Sequence, residues 1–158
     1  MIITIITVGF YAIKHFLGLN NCSQVGLFFR DLEREVDKAW SEEIYSGRFQ
    51  SNLPDSGFSK LGITHVCFGK VTDIRPNAPN EDKNIKTGLE DFGGFSFAET
   101  NVFLYPPEKA CEGENFFRSL ENARAKNNDF FCVPVSNGVI NIKLEKSQTD
   151  SLVKISES

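Results

Sequence analysis

The first thirteen positions, MIITIITVGFYAI, carry no charge; Lys14 and His15 interrupt the run, and apolar letters resume as far as Leu19. The pattern then changes without stopping. Val25, Phe28, Phe29, Leu32, Val36, Ala39 and Trp40 recur three or four residues apart, with Arg30, Asp31, Glu33, Arg34, Asp37 and Lys38 between them. That is the period of an amphipathic helix, one stripe apolar and the other charged. Joined to the run before it, it predicts a single long N-terminal helix over residues 1–46, bent between Gly18 and Gly26, stopped by Gly47 and roughly 70 Å long. Its first half is apolar all round, through Ile2, Ile3, Ile5, Ile6, Val8, Phe10, Tyr11, Ile13, Phe16, Leu17 and Leu19. Its second half offers Phe28, Phe29, Leu32, Val36 and Trp40 to a head formed by the same chain. Lys14 and His15 are costly in an enclosed helix unless they reach a polar groove.

Beyond the helix, "SNLPDSGFSKLG" is rich in turn formers, and residues 47–61 read as a linker. Residues 62–158 then read as a β-rich globular head. "ITHVCFGKV" is apolar on both faces, as an inner strand requires. "RPNAPNEDKNIKTG", from Arg75 to Gly88, is polar and without period, and reads as an exposed loop. "GGFSFAETNVFLYPP" supplies two strands, with Phe95 and Phe97 on one face of the first and the run Val102 to Tyr105 forming the second. Phe116, Phe117, Leu120 and Ala123 fall at helical spacing and predict one short helix between Glu114 and Lys126. Asn137-Gly138 lies between two apolar runs and predicts a type I′ hairpin turn, with positive φ at both positions. Ile140, Ile142 and Leu144 then alternate with polar residues, Pro134 suits an edge strand or a bulge, and "SLVKIS" adds a last strand. The fold class is α+β.

Charge narrows the partners. A net charge of -4 with scattered basic residues gives no cationic field, so nucleic acid is not expected as a partner. The four cysteines, Cys22, Cys67, Cys111 and Cys132, contain no CxxC pair, which removes zinc-ribbon and thioredoxin-type readings. Two disulfides or four buried thiols remain. If oxidised, Cys111 with Cys132 would bracket the short helix and Cys22 with Cys67 would clamp the long helix to the inner strand.

Catalytic chemistry finds little support. Only His15 and His65 are present, and G-x-S-x-G, phosphate-cradling and H-E-x-x-H motifs do not occur. "DFGG" at Asp91 to Gly94 reads as a turn, and Asp31, Glu33 and Glu35 as a solvated helix face. No cofactor, metal or small-molecule substrate is expected, and the chain does not read as an enzyme. Asn21-Cys22-Ser23 fits the glycosylation acceptor pattern at Asn21.

The joined apolar and amphipathic helix at the N-terminus resembles the archaeal type IV pilin-like family. The resemblance covers the first 45 residues or so; Ile5 stands where bacterial type IV pilins carry a glutamate. "THVCFGKV", "NVFLYPPEKAC" and "FFCVPVSNGVINIKLEK" also resemble segments of small single-anchor archaeal proteins. The resemblance implies a pilin-like fold and a structural subunit of an extracellular filament used for surface attachment. Such a subunit is membrane-inserted through its apolar helix, loses a basic leader, and then bundles with copies of itself. The alternative is a binding module held at the outer membrane face by a single apolar span.

Overall fold

The computed structural model describes residues 2–53, 62–93, 99–110 and 116–158, with side chains described from residue 22 onward and none for residue 93. Helix α1 spans Ile2–Ser41. Over the 20 residues 22–41 it is amphipathic as its spacing requires: Val25, Phe28, Phe29, Leu32, Val36 and Ala39 are all buried against the head. Trp40 departs from the expected packing stripe. It is 46% exposed, and its indole N–H donates to the Ser151 carbonyl at 3.2 Å.

The helix ends at Ser41, short of the expected stop near Gly47. The Lys146 ammonium donates to the Trp40 carbonyl and, at 2.7 Å, to the Glu42 carbonyl, while Ser41 Oγ donates to the Lys38 carbonyl at 2.7 Å. These bonds satisfy carbonyls that a helix end leaves open. Gly47 has another task, because the Tyr45 ring lies over it and a Cβ there would meet ring atoms at 2.5 to 2.8 Å.

The pilin-like fold expected from the sequence is corrected. Among the described residues no helix is long and apolar enough to cross a membrane, and no long apolar helix is found. Among the described residues stand two α-helices and two four-stranded sheets, and the second helix is not at the position expected for the short helix of the head. The first sheet runs β1 (Tyr45–Asn52), β7 (Val139–Lys146), β8 (Val153–Glu157), β5 (Ala123–Ala125). The second runs β4 (Phe117–Arg118), β3 (Val102–Tyr105), β2 (His65–Phe68), β6 (Phe131–Pro134).

The alternation of Ile140, Ile142 and Leu144 gives β7 one fully buried face, and α1 lies across β1, β7 and β8. β2 is an inner strand, antiparallel to both β3 and β6, and its Val66, Cys67 and Phe68 are wholly buried. Pro134 sits in an edge strand, as its missing N–H demands. Asn137 and Gly138 do have positive φ (52° and 73°), and Ser136 pairs with Val139 across them. The turn nevertheless joins β6 of one sheet to β7 of the other, so the two strands do not pair as the expected hairpin.

Three further expectations are revised. β1 begins in the span read as helix and runs into the one read as a linker, and it pairs with β7 along its whole length. The polar stretch read as a loop holds the first two turns of helix α2 (Asn80–Gly93), with Glu81 and Asp82 in its first turn and Ile85 and Leu89 buried four residues apart. Asp91 to Gly93 of the expected "DFGG" turn close that helix. The segment read as a short helix at 114–126 holds β4 and β5 instead.

Asn101 explains that last difference. Its amide nitrogen donates to the Leu120 and Ala123 carbonyls at 2.9 and 3.0 Å, and its oxygen accepts from the Leu120 N–H at 2.8 Å. A side chain thus satisfies backbone groups that a helix would have satisfied internally. Replacing Asn101 by Ala removes three bonds at a part-buried junction and is expected to lower the unfolding free energy by about 2 to 3 kcal/mol in a denaturant titration. Gly69 is fixed by its backbone: at φ 99° a Cβ would lie 2.8 Å from the Asp129 carbonyl oxygen.

Candidate functional site

The residues expected to drive polymerisation, from Ile2 to Leu19, lie within α1 with side chains outside the described residues, as does the Asn21 side chain. The mounting of residues 22–41 of α1 on the head is well defined. Besides the apolar stripe, the Tyr45 hydroxyl donates to Glu35 Oε1 at 2.5 Å, a bond that pushes the phenol pKa up to about 12 and holds the Glu35 carboxyl below its ordinary range. Asn122 Nδ2 donates to Asp37 at 3.0 Å, and the Arg118 guanidinium lies 5.3 Å from the Phe29 ring centroid. On the outer face Asp31 pairs with Arg30 and Arg34, and Glu35 with Lys38. Such exposed pairs contribute little to stability; Glu33 is exposed as the sequence reading expects, whereas Glu35 is half-buried and bonded to Tyr45 and so leaves the expected solvated face.

Cys67 and Cys132 stand opposite each other on β2 and β6 and form a disulfide, and Cys22 of α1 is disulfide-bonded as well. The pairings expected from spacing, Cys111 with Cys132 and Cys22 with Cys67, are therefore both replaced. They assumed a helix between Cys111 and Cys132, whereas that segment returns as strands and brings Cys132 beside Cys67. Cys111 lies outside the described residues.

His65 is occupied structurally: its Nε2 lies 3.1 Å from Glu81 and its Nδ1 3.1 Å from Thr64 Oγ1. Among the described residues no group of three His, Cys, Asp or Glu side chains could hold a metal ion. The feature that sequence reading missed is a cleft of about 420 Å³ bounded by Arg75–Pro79, the start of α2, Lys126–Phe131 and the end of β8. The start of α2 was legible in principle, from Pro79 followed by Glu81 and Asp82 and then Ile85 and Leu89. Glu157, far along the chain, carries no local signal.

Comparison with protein-family models, curated proteins and solved structures finds no match.

Proposed function

We propose that the chain is a structural subunit of an extracellular filament, in which the charge-free segment 2–13 is enclosed by copies of itself and the disulfide-bonded head faces outward. The observation that carries this reading is continuity. α1 is one helix from Ile2 to Ser41, and the stripe it buries in its own head begins at Val25. The charge-free residues 2–13 thus ride on the same rod as the head, with a sequence too apolar on every side for water. The disulfides support an oxidising location outside the cytosol. The reading rests on this rod and not on any likeness of the head to a pilin.

Electron microscopy of the purified chain is expected to show helical fibres, with amides of residues 2–19 protected from hydrogen exchange within them. A variant lacking residues 1–19 should leave a soluble head and no fibres. A detergent-solubilised monomer that never forms fibres, or fibres that persist after the deletion, would overturn the proposal. The cleft beside α2 favours a second reading, a binding module held by a single apolar span. On that reading residues 2–19 would be protected only in lipid or detergent, and the head would keep its binding after the deletion.

A further inference from the structure

β6 is an edge of the second sheet, and the Cys132 N–H on it donates to the carboxylate of Asp82, in the first turn of α2. That bond covers an edge amide but leaves the charge itself unbalanced. Asp82 is only 8% exposed and has no ion-pair partner among the described residues; His65 favours its ionised form but is itself paired with Glu81. Burial pushes its carboxyl above the ordinary range against the pull of the Cys132 N–H, and the negative charges of Glu157 and Glu81 push the same way.

Asp82 lines the cleft of about 420 Å³, a size in the range of small-molecule sites. Three carboxylates, Asp82, Asp129 and Glu157, line the cleft against two cations: Arg75, which is ion-paired with Asp129, and Lys126, which is exposed. Glu157, which also lines the cleft, has no counter-ion among the described residues. Phe131, stacked on Phe68 at 5.5 Å, supplies an apolar wall. Two mutually repelling carboxylates beside an aromatic ring leave the cleft short of one positive charge.

We infer that this cleft binds a small organic cation, a primary ammonium on a short apolar stem. The ammonium lies between Asp82 and Glu157, and the stem lies against Phe131. An ammonium brings three donors; the two carboxylates take two, and the Asn127 amide oxygen or the Ser156 hydroxyl takes the third. Binding displaces the proton that burial favours on Asp82, so affinity rises with pH through the raised carboxyl titration. The titratable groups acting on Asp82 are Glu81 from its own helix, His65 from β2 and Glu157 from β8.

Ligand-observed NMR of the full chain, titrated with n-pentylammonium, pentanoate and 1-pentanol, separates charge from stem. Only the ammonium is expected to bind. Glu157→Gln, an exposed position that leaves the core intact, should weaken it about tenfold, the loss of one charge-assisted contact. Asp82→Asn should weaken it further and abolish the rise with pH, while His65→Gln should leave that rise in place. Pentanoate binding as tightly as the ammonium, no saturation by the ammonium at about 50 mM, or unchanged affinity in Glu157→Gln would each overturn the assignment.

Discussion

The double variant Cys67→Ala/Cys132→Ala is expected to lose about 4 kcal/mol of stability, the chain-entropy value for closing a loop between residues 65 apart. Much of the head lies within that loop: β3, β4, β5 and helix α2 are all enclosed by the bond. In the oxidised chain these elements cannot separate fully when the fold opens, so the unfolded ensemble is small. Removing both sulfurs restores that freedom and leaves no lone thiol to mispair with Cys22 or Cys111. Equilibrium denaturation monitored by Trp40 fluorescence measures the loss. A decrease below about 1 kcal/mol would mean that the reduced unfolded state keeps β2 and β6 together without the bond.

The parts of this fold that were legible in the sequence are those in which one chain segment determines its own pattern. The stripe from Val25 to Ala39, the alternation of Ile140, Ile142 and Leu144, and the Asn137-Gly138 turn each express a local rule of period or φ, and each is present. The misread parts are those in which a distant residue supplies what the local pattern lacks. Phe116, Leu120 and Ala123 sit at helical spacing, yet Asn101 takes the Leu120 and Ala123 backbone groups and the segment extends instead. α2 shows only two fully buried apolar side chains in fourteen residues, too few to outweigh Pro76, Pro79 and the polar letters around them. The disulfide pairing follows from which strands are neighbours, and strand order is a property of the whole chain.

The same contrast applies to the candidate sites. A terminal apolar run announces itself, because its whole character lies in consecutive letters. The cleft does not, since Asp82 is buried only once α2 lies along β6, and Glu157 reaches it from the end of the last strand. Each carboxylate alone looks like an ordinary surface acid.

Phe28→Ala is expected to cost about 3 to 5 kcal/mol, the range for truncating a fully buried aromatic side chain. The ring is 1% exposed and stands at the seam between helix and sheet, with centroids 5.3 Å from Phe29 and 6.2 Å from Phe49 of β1, both tilted. Most of a protein helix's stability comes from the packing of its apolar face, which over residues 22–41 is the stripe from Val25 to Ala39. The cavity therefore weakens the helix and its attachment together. Hydrogen exchange should show amides of residues 25–41 opening well before those of β7, while Cys22 keeps its covalent tie. Leu27→Ala, on the next residue but 44% exposed, is the matched control and should stay within about 0.5 kcal/mol of the parent. Equal losses in the two variants would show that α1 is held by its outer face and not by the stripe; a large loss confined to Phe28→Ala ties the seating of the rod to the head's own core.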